Sequence, residues 1–204
     1  INFKDELHLK FEVDVANALL DKLNISTKNS TISSHFKIDI HGDNPTKFRG
    51  SIIMDQFHLT EGTRELTVPS MQLNLKRGKL EDQFTILSDI AHVNITGKVN
   101  INNIASDFYH QFSSTFPTLF KTDVQRIDHT KIDHFEFDVT FGQTENLFAI
   151  FAPGLHISPG TTFSGHYFEE SSNFLTNITS DSISYDDLHS YDIDFHQYMD
   201  KKDI

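Results

Sequence analysis

The chain has 204 residues, 37% of them hydrophobic and 23% charged, which suits one or two folded domains and argues against wholesale disorder. A formal net charge of −12 without any dense Lys/Arg run disfavours nucleic-acid backbones and anionic membrane surfaces as partners. Zero Cys excludes a disulfide scaffold, a cysteine zinc site and thiol catalysis, and no stretch approaches the roughly 20 apolar residues of a spanning helix.

The dominant signal is alternation at period two, which places one set of side chains on one face of a sheet. Ile1, Phe3, Leu7, Leu9, Phe11 and Val13 alternate across the first strand. Ala16, Leu19, Leu20 and Leu23 then suit a short helix within Val15 to Leu23. Phe36, Ile38 and Ile40 form a second strand, closed by the turn chemistry of His41-Gly42-Asp43-Asn44-Pro45. In the next run, Arg49 to Leu59, Ile53, Asp55, Phe57 and Leu59 share one parity while Ile52 and Met54 hold the other, so its faces are mixed. A turn at Glu61-Gly62-Thr63, a short strand at Leu66 to Val68 ended by Pro69, and strands at Met71 to Leu75, Gln83 to Leu87 and His92 to Ile101 follow.

The period changes after Asn102-Asn103. Ile104, Phe108, Phe112, Phe116 and Phe120 recur every four residues and predict a helix over about 103–115, capped by Asn103 and broken near Pro117. Alternation resumes at Phe135, Phe137, Val139 and Phe141. Glu145 to Phe151 suits one or two helical turns stopped by Pro153-Gly154. Strands are predicted at 155–157, 162–168, 173–179, 182–185 and 191–195, with turns at Ser158-Pro159-Gly160 and Glu169-Glu170-Ser171-Ser172 and a frayed tail over 197–204.

So many half-apolar strands need cover, and one helix of about 13 residues spans only about 20 Å. The fold class expected is mainly β: a long, curved, antiparallel-rich sheet forming a U-shaped groove, with one longer helix near 103–115 and short helical connections. Residues 1–196 form a single section with a helix-containing insertion at about 103–121. Because methylene burial contributes roughly 0.8 kcal/mol per group without directional contacts, such a groove suits acyl chains. The competing reading is a structural or interaction scaffold whose strands close into a dry β core with no lipid path.

Three stretches carry a family resemblance. They are Phe48-Arg49-Gly50-Ser51-Ile52 through Asp55-Gln56-Phe57-His58-Leu59, with Leu66-Thr67-Val68 and Met71-Gln72-Leu73-Asn74-Leu75; Val93-Asn94-Ile95-Thr96-Gly97-Lys98-Val99 leading to Phe116-Pro117-Thr118-Leu119-Phe120; and Asn146 to Gly165, with its short helix, Pro turn, Leu155-His156-Ile157 strand and Ser158-Pro159-Gly160 turn. Together they resemble the AsmA-like superfamily, most of all the TamB-type translocation and assembly proteins of Bacteroidota. The resemblance implies a section of a periplasmic, non-enzymatic bridge whose longer parent is anchored in the inner membrane and reaches toward the outer one. Its apolar groove would carry phospholipid acyl chains between the membranes, and an outer-membrane β-barrel would be a partner in protein assembly.

Parity selects the lining candidates Phe36, Ile38, Ile40, Ile53, Phe57, Leu73, Leu75, Ile95, Val99, Phe135, Phe137, Val139, Phe141, Phe163, Tyr167 and Ile178. Gly50, Gly97 and Gly165 would permit curvature or close strand approach. No catalytic residue, cofactor or metal site is expected. The twelve His form neither a His-Glu-x-x-His helix nor a calcium loop, and Asp192, Asp194 and His196 near His189 read as a solvated strand face. Gly-x-Ser-x-Gly elbows and phosphate-binding Gly-rich loops are missing from the sequence. Four glycosylation sequons, at Asn24, Asn29, Asn94 and Asn177, carry no weight in a chain this rich in Asn and Thr.

Overall fold

A computed structural model describes residues 7–26, 28–42, 47–98, 134–168 and 173–199. Among these, eleven strands make one antiparallel sheet: β1 (His8–Leu19), β2 (Ser30–His41), β3 (Arg49–Glu61), β4 (Arg64–Lys76), β5 (Asp82–Ser88), β6 (Ala91–Lys98), β7 (His134–Phe141), β8 (Leu155–Ile157), β9 (Thr162–Phe168), β10 (Asn173–Tyr185) and β11 (Leu188–Met199). The continuous order is β1-β2-β3-β4-β5-β6-β7-β9-β10-β11, with β8 paired to the end of β10. β1 and β11 are the two edges, so the sheet is open rather than a barrel. The helix predicted at 103–115 and the 169–172 turn lie outside the described residues.

Strand pairing keeps side chains of one kind together. Phe11, Ile38, Ile52, Leu73, Ile86, Val93, Val139, Phe163, Ile178 and Phe195 stand directly opposite one another in successive pairs, which puts them on one face. Residues one step along each strand hold the other face, where polar side chains bond across strands. Gln83 Nε2 donates to Asn94 Oδ1 at 3.2 Å, Asn74 Nδ2 to Thr85 Oγ1 at 3.3 Å, and the Thr31 and Thr60 hydroxyls pair.

Two irregularities sit side by side and bend this array. β1 shifts register between Val15 and Ala18, where Asn17 takes φ of 52°, and β3 gains a residue against β2 between Ser33 and His35, where Gln56 takes φ of 54°. Each extra residue re-aims the strand and increases its local twist. The helix predicted over Val15 to Leu23 is therefore absent: β1 runs through Leu19, and a turn follows in which Leu23 N–H reaches Leu19 O at 3.2 Å. Its helical spacing of apolar residues is outweighed by pairing with Thr31 and Ile32 on β2.

Pro69 does not end a strand either. It stands across from the Gln56 bulge inside β4, beyond Met71, the last β4 residue paired to β5. A residue without an N–H is tolerated where the ladder is already interrupted. The strands predicted at 173–179 and 182–185 are one strand, β10, because Ser180 and Ser182 stay in register with Ile193 and Tyr191. β11 extends through Met199, past the expected start of the tail at 197.

Glu145–Phe151 is helical as its apolar spacing predicts and is α1 below. Glu145 in its first turn suits the helix dipole, and Pro153 prevents continuation beyond Ala152. Leu147 and Ile150, three apart on one side, pack with Leu59, Leu66, Val68 and Ile90, joined by Leu20, Phe57, Met71 and Ala91. A second cluster gathers Ile95, Phe135, Phe137 and Phe174, with Phe84, Val93, Phe163 and Tyr167 against it.

Gly165 lies opposite Phe137 and Thr176, and a Cβ there would come within 2.0 Å of Leu175 O and 2.8 Å of Phe137 Cζ. Its lack of a side chain leaves room for the Phe137 ring beside it. Beside it, Thr176 is 1% exposed and its hydroxyl has no hydrogen-bond partner among the described residues. An unmet buried hydroxyl costs free energy that an apolar side chain of the same shape avoids. Thr176→Val is expected to raise unfolding free energy by about 1 kcal/mol in urea titration, with an unchanged denaturant slope; a loss of similar size would mean the hydroxyl is satisfied.

Candidate functional site

Strand pairing gathers apolar side chains on one face of the sheet. Most residues chosen by parity meet on it: Phe36, Ile38, Ile40, Phe57, Leu73, Leu75, Ile95, Phe135, Phe137, Val139, Phe141, Phe163, Tyr167 and Ile178. Val99 lies outside the described residues. Ile53 is the correction: it stands opposite Lys37 and Gln72, on the polar face. The Gln56 bulge moves β3 by one residue, so Ile52 and Met54 join Phe57 and Leu59 on the apolar side, although the sequence puts these pairs on opposite parities. Asp55, at the parity of Ile53, is the residue that betrays the switch. Its carboxylate accepts from Ser70 at 2.8 Å and pairs with Lys37 at 3.5 Å.

Burial divides this face into two parts. On the β6–β10 side Phe135, Phe137 and Phe174 are buried, and their rings meet neighbours at close range: Phe137–Phe163 centroids are 4.8 Å apart and Phe135–Tyr167 5.3 Å. On the β1 side no described element covers the same face. Leu9, Phe11 and Val13 are 38%, 46% and 39% exposed, and Phe36, Ile38, Ile40, Ile52, Met54, Leu73 and Leu75 are only half-buried. α1 closes over the ends of β3 and β4 and leaves this strip beside it. Leu9, Phe11 and Val13 were legible as strand residues, but nothing in their alternation distinguishes a lining side chain from an edge one.

Phe36, Phe57, Phe137 and Phe163 do not share one cluster among the described residues. Phe57 packs with the α1 cluster, Phe137 and Phe163 belong to the aromatic cluster, and Phe36 is in neither among the described residues. Toward the far end of β10 the face turns polar, with Ser158, Thr161 and Ser180 hydroxyls in mutual contact at 2.6–3.2 Å. Near the same end of β10 lies an open hollow of about 340 Å³, lined by Asp181, Asp192 and Asp194 with Thr179 and Pro159 among others, of which Thr179 and Asp194 belong to the polar face. Its acidic rim makes it unlike the apolar strip. His196 Nε2 lies 3.1 Å from Asp194 Oδ1 on the solvated face, whereas His189 takes a register position on the other side.

The polar face carries His8, His35, His41, His58, His92, His134, His166 and His196. At its β1 edge His8 and Lys10 hold the carboxylate of Asp39 at 2.8 and 2.9 Å. The rim opposite α1 has an ion pair of another kind, Arg77 Nη1 to Asp82 Oδ2 at 2.8 Å, with Asp82 buried and also accepting from Gly78 N–H. It fastens the β4–β5 turn. No described helix is long and apolar enough to cross a membrane. A scan against models of known families, a search of curated proteins and a search of solved structures each find no match.

The Lys10 hydrogen bond, then that of His8, holds the Asp39 carboxyl below the usual aspartate range, and Asp39 in turn raises Lys10. A depressed carboxyl stabilises the fold above its unfolded pKa, and that contribution disappears as pH falls through the folded one. A carboxyl-carbon NMR titration is expected to put the Asp39 midpoint below that of an unstructured peptide and to move it upward in Lys10→Ala. An unshifted midpoint in that variant would remove Lys10 as the cause.

Proposed function

We propose that the uncovered part of the apolar face, from β1 through β4, receives the acyl chains of phospholipids. The observation that carries this reading is a continuous set of hydrophobic side chains on adjacent paired strands, half-buried or exposed, with no second sheet packed on it among the described residues. An apolar area of this kind on a folded chain is costly to leave in water and marks a contact surface. Acyl chains suit it because hydrocarbon demands area and not directional partners, at roughly 0.8 kcal/mol per methylene buried.

Dimensions agree with such a ligand. Three spacings of about 4.8 Å separate β1 from β4, so the uncovered strip is roughly 14 Å across, while its strands of 12 or 13 residues run roughly 40 Å at about 3.3 Å per residue, room for acyl chains lying along them. The polar face, with its cross-strand ladders and charged pairs, would stay in water. The wider setting belongs to the same proposal and rests on the residues that resemble AsmA-like proteins: a periplasmic section of an anchored bridge moving phospholipid between membranes, working with an outer-membrane β-barrel.

A specific observation also favours the scaffold reading for the other half of the face. Phe135, Phe137 and Phe174 are 3%, 1% and 3% exposed, which is the signature of a closed core. Both can hold at once, the packed half supporting the open one.

The test is photocrosslinking of the purified chain with phospholipid vesicles, with the photoreactive residue placed at Phe11, Ile38 or Ile52 and, as opposite-face controls, at Lys10 or Lys37. Lipid adducts confined to the first three positions are expected. Equal capture at Lys37, or none at Ile38, would refute the lipid assignment.

A further inference from the structure

We propose that His8, Asp39 and His41 form a binding site for one transition-metal dication of the Zn²⁺ class on the polar face of the β1–β2 pair. His8 and His41 are directly opposed in the antiparallel register, and Asp39, two residues before His41, shares their face. Their positions follow from strand pairing and not from a flexible loop. The imidazoles stack with centroids 3.9 Å apart and planes within 11°. Asp39 Oδ1 lies 2.8 Å from His8 Nε2 and 3.7 Å from His41 Nε2, and ligand atoms of all three residues fall within 4.8 Å of one another.

Zn²⁺ binds imidazole nitrogen and carboxylate oxygen at about 2.0–2.2 Å in tetrahedral geometry, so two ligand atoms on one ion stand about 3.4 Å apart. The observed separations bracket that value. Rotating the two stacked rings about their side-chain torsions until their planes converge, with no change of register, would bring the donors onto one ion. The backbone beside the site is pinned by Gly42 N–H donating to Leu7 O at 2.9 Å.

Asp39 is oriented from outside the site. Lys10 Nζ, 2.9 Å from Oδ2, occupies the second carboxylate oxygen and leaves Oδ1 to the ion, the arrangement by which an outer partner fixes a ligating carboxylate. The ammonium opposes a dication by simple charge. Against it stand the carboxylate itself and a chain carrying −12 overall. Two imidazoles with one carboxylate leave a fourth position for water, and nitrogen donors select Zn²⁺, Cu²⁺ or Ni²⁺ over Mg²⁺ and Ca²⁺. The site is independent of the apolar face and of any lipid there.

Calorimetric titration of the full 204-residue chain with Zn²⁺ at pH 7.5 tests it. One equivalent is expected to bind, undisturbed by excess Mg²⁺, with His8→Ala, His41→Ala and Asp39→Asn each weakening binding by more than about tenfold and His92→Ala leaving it unchanged. Circular dichroism checks that the variants stay folded. In the unmodified protein, imidazole NMR signals of His8 and His41 should respond before those of any other His. Absence of stoichiometric Zn²⁺ binding, retention of full affinity in His8→Ala and His41→Ala, or first response at other imidazoles would overturn the site.

Discussion

Everything in this molecule depends on side-chain parity being carried without error from one strand to the next. Because alternate residues point to opposite faces, a slip of one residue in any pair would turn a strand's hydrophobic set outward. Here the register holds across the continuous path, so that Ile38, Ile52, Leu73, Ile86, Val93 and Val139 remain neighbours although they come from six strands. Where a strand departs from strict alternation, a bulge restores the face. Gln56 does this in β3, and the break between Val15 and Ala18 does it in β1, bringing Ala18 opposite Ile32 and Leu20 into the α1 cluster.

The same two places explain what the sequence could and could not tell. Alternation in 36–40, 71–75, 92–98 and 135–141 read directly as strand, and the apolar spacing in 145–151 read as helix, because in each the local pattern and the tertiary contacts agree. A bulge breaks that agreement. One extra residue exchanges Ile53 for Ile52, and nothing about Gln56, a residue with no special liking for positive φ, announces it. Val15 to Leu23 failed for a related reason: its apolar residues fall at helical spacing only because an inserted residue interrupts a strand's alternation. Pro69 looked like a terminator since its signal was read on one strand, while its meaning comes from the bulge on the neighbouring one.

Burial was less legible than pairing. Alternation states which residues share a face and is silent on whether that face is covered. Phe11 and Phe137 look equivalent in the sequence, yet one is 46% and the other 1% exposed. The edge position of β1 separates them, together with the close approach of β9 that Gly165 allows beside the Phe137 ring. This difference divides the face into a packed aromatic half and a half that is more exposed among the described residues. The same alternation gathers the histidines on the opposite face, which is also what sets His8 against His41.

The division of the apolar face can be measured directly, since a chain without cysteine accepts single reporters cleanly. Phe11→Cys, Val13→Cys and Ile38→Cys would be compared with Ile95→Cys and Phe137→Cys for their rates of modification by a maleimide in the folded protein. Rapid modification at 11, 13 and 38, with 95 and 137 reacting only on unfolding, is the result this account predicts. Protection at 13 and 38 equal to that at 137 would mean that the whole face is sealed, and would contradict it.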